Sequence, residues 1–406
     1  MKCRHCGNLL KYTFADLDSA PPSNAYLDNF EDIENEASYP LETYVCEKCW
    51  LVQTKDFVAS ETLFNSKYAY VSSASETWKK HCKNYSQMIT EKLSLDNKSL
   101  IVEIASNDGC LLENFQDKIP CYGIEPTAEV ARIARDKGIS THEEFFTLTY
   151  AKGLAEKGKA DLICGNNVYA HVPDINDFTA GISQLLKNTG TVTLEFPHLV
   201  KLIRHNQFDT IYHEHFSYLS LTTVKNIFSK YNLDIYDVEE LPTHGGSLRI
   251  YGSHMSLNKK ISNNVENLLL EEEEFGIKKI STYTSFQKKI EVVTNDFVSY
   301  IKDAKNKELK IAGYGAAAKG NTLLNFSKIS HKEIDFVCDA SPLKINTLLP
   351  GSHIPVYDIS ALNKYKPDII IILPWNISKE IVKILNNINN WGAEYVSFIP
   401  STINHK

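Results

Sequence analysis

No apolar run in these 406 residues approaches the roughly 20 that a membrane helix needs, so no spanning segment is expected. Positive charge is not in excess either. The formal net charge is −7, which removes the global basic field that draws in nucleic acid. The opening MKCRHCGN contains no apolar signal region. Cysteine is sparse, at nine, and Cys3, Cys6, Cys46 and Cys49 stand in two C-x-x-C pairs. That usage points to a metal in a reducing compartment, not to a disulfide framework, and a cytoplasmic protein is expected. No heptad run or internal repeat advertises an assembly, so the expectation is a monomer or weak homo-oligomer. Charged residues at 23% and hydrophobic residues at 43% suit an ordinary globular chain, long enough for two or three domains.

What is present begins with Cys3-Arg-His-Cys6 and Cys46-Glu-Lys-Cys49. Each pair places two thiolates on one turn. Together they supply four sulfurs for a structural tetrahedral Zn2+, with no position left open for catalysis. A redox C-x-x-C needs only one pair, set after a strand of a βαβ unit. A small domain over residues 1–60, with little core of its own, gains stability from such an ion. His5, between the first pair, reads as a bystander. Residues 61–98 read as a mostly helical linker in which Tyr68 and Tyr70 pack.

The stretch IVEIASNDGCLLENFQDKIPCYGIEP, residues 101–126, organises the rest. Ile101–Ile104 reads as a buried strand containing Glu103, followed by the turn Ala105-Ser-Asn-Asp-Gly109 and a helix starting over 111–115. A second strand, Cys121–Ile124, ends on Glu125. This is the first βαβ of a nucleotide-type α/β domain, where the turn meets a ligand and the acid holds ribose hydroxyls. The fingerprint G-x-G-x-x-G is missing: Ala105 stands at its first glycine, and Gly109 is the only glycine of the turn. Without the glycines that admit a pyrophosphate, NAD fits less well than S-adenosylmethionine, which has a ribose and no pyrophosphate. A helix over 129–137 stopped by Gly138, a strand over 160–164 and a strand over 191–196 continue the pattern. Ligands bind outside the carboxyl ends of such strands, which gathers Asn107, Asp108, Glu125, Asn166, Asn167, His171 and Glu195 around one crevice.

A second α/β unit starts at Leu309 and runs into Gly313-Tyr-Gly-Ala-Ala-Ala-Lys-Gly-Asn321, which resembles a phosphate-cradling turn. Lys319 and Lys344 suit an anionic ligand there, and a strand ending at Asp339 follows. Residues 258–306 read as helical, with the acidic run 271–274 as a solvated face. Tyr212-His-Glu-His215 is too dense in titratable groups for ordinary packing. If extended, it puts His213 and His215 on one face and Tyr212 and Glu214 on the other. It reads as an acid–base cluster beside a methyl donor. A second metal site and a polar surface strand are the alternatives.

Taken in order, CxxC…CxxC, VEIASNDGCLL, GIEP, NNVYAH, YHEHFSY, HGGSLR, GYGAAAKGN, Asp339 with PGSHIPV, and LPWN resemble the S-adenosylmethionine-dependent sugar C-methyltransferases over nearly the whole chain. The resemblance implies a zinc-binding domain, a central Rossmann-like class I methyltransferase domain (residues 99–257) and a C-terminal Rossmann-like α/β domain (within 258–406) that helps hold a nucleotide sugar. It implies C-methylation of a nucleotide-linked 4-keto-6-deoxyhexose, at C3, through an enolate. Carried over by motif, His215 is the base, Tyr212 a hydrogen-bonding partner of the sugar or enolate, and Glu214 an orienter; His171 and Tyr68 complete the catalytic set. Tyr212 and His171 are the donors expected to stabilise the enolate. The donor site then comprises Glu103, Ala105, Asn107, Asp108, Gly109, Glu125, Pro126, Asn166 and Asn167. The substrate side comprises His244, Arg249, Tyr314, Lys319, Asn321 and Asp339. Other readings are a sugar O- or C5-methyltransferase, a non-catalytic sugar-nucleotide module, and a zinc-ribbon RNA methyltransferase or nucleic-acid-binding protein. The last requires a basic face that the acidic balance does not favour.

Overall fold

Three sheets carry the chain. The computed structural model describes residues 1–55, 57 and 71–405, so Tyr68 and Tyr70 lie outside the described residues. In the first sheet, β1 (Tyr12–Ala20), β2 (Tyr39–Val45) and β3 (Val52–Thr54) run antiparallel. Along β2, Leu41, Thr43 and Val45 turn inward while their neighbours stay partly exposed, the period of a half-buried strand.

The central sheet takes β4 (Ile101–Ile104), β5 (Cys121–Ile124), β6 (Thr141–His142), β7 (Ala160–Asn166) and β8 (Leu186–Pro197) in parallel. Between β8 and the last two strands of this sheet the chain makes β9 (Ser217–Tyr218), which leaves it to pair with β3 of the first sheet. Then β10 (Leu233–Leu241) and β11 (Ser247–His254) close the central sheet, in the order β10-β11-β8-β7-β4-β5-β6 with β11 antiparallel to both neighbours. All four residues of β4 are buried, as expected of a parallel strand covered on both faces.

The helix expected from Leu111 is only a 3-10 turn, Leu112–Asn114. Pro120 follows within two turns, and proline disfavours helix both at its own position and before it. The helix Glu76–Leu93, capped by Ser75 at Trp78 N, packs Cys82, Tyr85 and Ile89 against Ile101, Leu112 and Leu162 on that face instead.

The third sheet is β12 (Ile311–Tyr314), β13 (Phe336–Cys338), β14 (Val356–Tyr357), β15 (Ile369–Ile372), β16 (Glu394–Ser397) and β17 (Ile403–Asn404), ordered β14-β13-β12-β15-β16-β17, parallel except β17. One hydrophobic core unites Phe14, Leu41 and Val52 of the first sheet with Phe286 and Phe297 of the helix Phe286–Asn306 and Ile311 and Val337 of the third. Phe14 stacks on Phe286 at 4.8 Å.

The acidic run is not a uniform solvated face. Glu272 is fully buried and accepts from Leu221 N (2.7 Å), Thr222 N (2.8 Å) and Thr222 Oγ1 (2.6 Å), capping the helix Leu221–Lys230. Its Oε1 also meets His198 Nε2 at 2.8 Å. Among the described residues no helix is long and apolar enough to cross a membrane.

Strand order reverses between β4 and β7 in the central sheet and between β12 and β15 in the third. Such switch points open crevices at the strands' carboxyl ends. The segment 206–215 lies between the two: Asp209 Oδ2 accepts from Trp375 Nε1 just after β15 (2.6 Å), and Ile211 O accepts from Thr322 Oγ1 (2.9 Å).

Candidate active site

The first crevice is built on a turn that β4 delivers into left-handed backbone, with φ of 56° at Ala105, 49° at Asn107 and 77° at Gly109. A Cβ on Gly109 would collide with Ile139, so that glycine is required. Glu125, at the end of β5, holds the turn shut. Its Oε2 accepts from Asn107 N (3.0 Å) and its Oε1 from Thr127 N (2.8 Å), while burial raises its carboxyl. Pro126 follows, half-buried at the rim. Asp108 is fully buried and pairs with Lys137 at 2.9 Å.

Around this turn Glu103 Oε2, Ser106 Oγ, Asp108 Oδ1 and both amide atoms of Asn166 are buried without a partner in the protein. Each such group costs about 1–3 kcal/mol unless something polar meets it. Burial, with help from Cys110, Asp108 and Glu125, pushes Glu103 well above the usual carboxylate range. A cationic ligand with hydroxyls relieves all of this. S-adenosylmethionine, carrying an ammonium, a sulfonium and a ribose, fits the donor set.

Next to that crevice the Tyr212–His215 motif is a tight turn, not an extended strand: His215 N donates to Tyr212 O at 2.9 Å. The turn sends consecutive side chains to different partners, so His213 and His215 do not share a face. His213 Nε2 donates to the Tyr39 and Pro40 carbonyls (3.2 and 3.3 Å). Glu214 is buried, its pKa raised by that burial, and its Oε1 accepts from Asn24 Nδ2 at 3.0 Å. The orienting group on His215 is therefore not Glu214: Nδ1 donates to the Thr210 carbonyl at 2.7 Å. A carbonyl only accepts, so Nδ1 carries the hydrogen and Nε2 keeps the lone pair.

His171 comes close, its ring 4.6 Å from that of His215, with Tyr212 on another side at 4.0 Å. His171 Nδ1 donates to the Glu214 carbonyl at 2.8 Å. Burial lowers His171 to about 4. His215 lies well below the ordinary range, through burial first and the nearby His171 second. Both rings are neutral near pH 7. A neutral His171 fixed in this tautomer presents an acceptor at Nε2, so it is not the enolate donor expected from the sequence.

On the opposite side, His244 (φ 54°) sits in the turn between β10 and β11, and its Nε2 accepts from Asn167 Nδ2 at 3.0 Å. Burial, reinforced by Lys319, lowers it to about 4. Arg249 is not available to a substrate. It is 5% exposed, with Glu195 at 2.6 Å and Glu239 at 2.9 Å, so its fork closes the sheet internally. Glu195 also takes His81 Nε2 at 2.8 Å.

In the C-terminal domain, Asp339 repeats the device of Glu125: its Oδ2 accepts from Ala316 N at 2.7 Å. The Ala316 carbonyl is occupied by Tyr26 Oη (2.6 Å) and Lys344 Nζ (2.7 Å). Tyr314 ends β12 nearly buried, and Asn321, fully buried, donates to Ser23 O at 2.7 Å. Lys319 Nζ lies 3.2 Å from Asn376 Oδ1 and 4.8 Å from the Trp375 ring centre. Burial pushes Asp209 up to about 7 against the pull of Lys319. Asn24, Tyr26 and Asp209 lie outside the motifs that carried the sequence signal, and His81 stands among Lys79, Lys80 and Lys83 on a helix, where its approach to Glu195 is not legible.

The sulfurs of Cys3, Cys6, Cys46 and Cys49 lie within 4.8 Å of one another, with Cys3 to Cys49 and Cys6 to Cys46 each 3.5 Å. Tetrahedral zinc with Zn–S of about 2.3 Å needs sulfurs about 3.8 Å apart, so the four fit the ion. His5 stays outside the set and bonds Asn176 Oδ1 through Nδ1 at 2.8 Å.

A seven-stranded sheet with one reversed strand, an acid-closed turn at its switch point and a pair of buried histidines beside it fit a Rossmann-like S-adenosylmethionine-dependent methyltransferase. Family models for a zinc binding domain, a methyltransferase domain and a C-methyltransferase C-terminal domain match residues 3–64, 78–238 and 242–400. The C-methyltransferase NovU of Streptomyces niveus is 32% identical over 401 residues, covering 98% of this chain and 95% of that one. The chain belongs to this C-methyltransferase family. Solved structures with partial likeness include an S-adenosylmethionine-dependent methyltransferase of Clostridium acetobutylicum (12% identity, 43% of this chain and 92% of that one, TM-score 0.35). Another is the magnesium protoporphyrin IX methyltransferase of Synechocystis with bound S-adenosylmethionine (13% identity, 43% and 79%, TM-score 0.34).

Proposed function

We propose that the enzyme methylates a carbon next to a ketone in a nucleotide-linked 4-keto-6-deoxyhexose, at C3, with His215 as base. The observation that carries the reading is the fixed tautomer of His215: Thr210 holds Nδ1–H, which leaves Nε2 as a proton acceptor between the two switch points. A C–H beside a carbonyl, though still far less acidic than an imidazolium, yields an enolate that a site can stabilise, and the 4-keto group is part of the proposed substrate for that reason. Bound in the donor crevice, S-adenosylmethionine supplies a methyl already activated by its sulfonium. His215 then removes the C3 proton, Tyr212 packs beside the ring that does so, and the Glu125-closed turn keeps the donor crevice in shape. Tyr68, assigned by motif, belongs to the same catalytic set.

Incubation with S-adenosylmethionine and a panel of nucleotide 4-keto-6-deoxysugars, in water and in deuterated water, tests this. A gain of one methyl with solvent exchange at C3 is the expected result. Methyl on oxygen, or exchange and methyl at C5, would reassign the position.

A further inference from the structure

A base as weak as His215 removes a proton from carbon only if something takes up the charge that gathers on the carbonyl oxygen. Neither neighbouring histidine supplies a charge: His171 gives its N–H to Glu214 O, and His244, which accepts from Asn167 at Nε2, is neutral and offers only an uncharged Nδ1–H. The remaining charge comes from the other domain. Lys319 lies in the first turn of the helix Ala318–Phe326, over the Trp375 ring and bonded to Asn376. Trp375 in turn bonds Asp209 and leans on Gly245, where a Cβ would strike it, so Lys319 stands where the third sheet's switch point meets the histidine wall. Its charge is among those that depress both His215 and His244. The glycine turn beside it is a poor rival as an anion cradle, since Asp339, Tyr26 and Lys344 already occupy Ala316.

We propose that Lys319 is the oxyanion donor, its ammonium facing the 4-keto oxygen and not the nucleotide's phosphates. This rests on the substrate reading above. In the step, the C3–H bond breaks and the proton goes to His215 Nε2. The bonding pair forms the C3–C4 double bond, and the carbonyl π pair moves to the oxygen, where Lys319 donates a hydrogen bond. Burial lowers the Lys319 ammonium from its usual range, and Asp209, itself buried with Oδ1 unpartnered, is a positioning residue whose field opposes that loss and supports the charge.

Enolisation needs no methyl transfer, so it can be read alone as deuterium wash-in at C3 with S-adenosylhomocysteine bound. Lys319→Met is expected to slow exchange by about 100-fold or more, the scale of a lost oxyanion donor. Affinity for the matching nucleoside diphosphate, by calorimetry, should stay within about threefold. Asp209→Asn, which leaves the lysine in place, should slow exchange about fivefold or more with the same affinity, and serves if Lys319→Met fails to fold. Unchanged exchange in either variant overturns the proposal. So does a nucleoside diphosphate affinity weakened about tenfold with exchange intact at saturation, which would assign Lys319 to the phosphates. Absence of exchange in the wild type would instead sink the substrate reading, so the two failures are told apart.

Discussion

In the proposed reaction His215 serves as base because of what holds its other nitrogen. With Nδ1–H given to Thr210 and the ring depressed by burial and by His171, Nε2 stays unprotonated well below the ordinary imidazole range. The acid limb of kcat/KM that His215 sets is therefore expected below pH 6.5, with only a shallow step near pH 7 from Asp209 above it, absent in Asp209→Asn. A break at or above 6.5 that persists in Asp209→Asn would show a different base. His215→Asn should lower methylation by about 1000-fold while S-adenosylmethionine affinity, by calorimetry, is unchanged. The neutral histidines also make stability depend on pH. Folded His171 and His244 take up protons near 4, against 6.5 unfolded, so the unfolded chain binds them first as pH falls. Stability is full above 6.5 and is lost through the window down to about 4, on the order of 1–2 kcal/mol per ring by pH 5. Urea midpoints at pH 7 and pH 5 would measure it. Ala105, held at φ 56°, is strained where glycine would not be, so Ala105→Gly should raise stability by about 1 kcal/mol.

At the scale of elements, β4, β5, β7, β12 and β15 are legible because each is a short apolar run closed by a polar turn, the signature of parallel strands buried on both faces. The donor crevice follows from that pattern plus one acid, Glu125. The base loop does not. Strand β9 has two residues, too few for any period, and its partner β3 lies in another domain. The Asn24 and Tyr26 contacts join Glu214 to the third sheet's turn from a segment with no helical or strand periodicity, so no local rule places them. Glu272 is different, because a signal existed. Val265, Leu268 and Glu272 share the spacing of one helical face, and all three are buried, which a run of four acids conceals. Glu272→Ala leaves the Leu221 and Thr222 amides and His198 without their acceptor. It should cost about 3 kcal/mol or more in denaturant unfolding, with Glu272→Gln milder.

Across the whole molecule, the metal site and the base are connected by a short covalent and hydrogen-bonded path. Cys3 Sγ accepts from Gln53 Nε2 at 3.3 Å, and Gln53 Oε1 accepts from Arg4 N at 2.8 Å, so the knuckle grips β3. Thr54, the next residue, donates through Oγ1 to the His215 carbonyl at 2.6 Å and through N to Phe216 O at 3.1 Å. The zinc ligands thus set the strand on which the base loop hangs, although four thiolates leave the ion no part in the chemistry. The donor crevice is built from β4, β5 and β7, which share apolar packing with the cysteines but, among the described residues, pair with no strand of the first sheet. Removing zinc should therefore divide the two half-sites: methylation and C3 exchange fall by about tenfold or more, while S-adenosylmethionine affinity stays within about threefold. Chelation followed by metal analysis, exchange and calorimetry, then zinc return, checks it. Full activity in a protein shown to be metal-free would break the link between the cysteine cluster and His215, and equal loss of donor binding would mean that the ion supports the whole fold instead of one wall of the site.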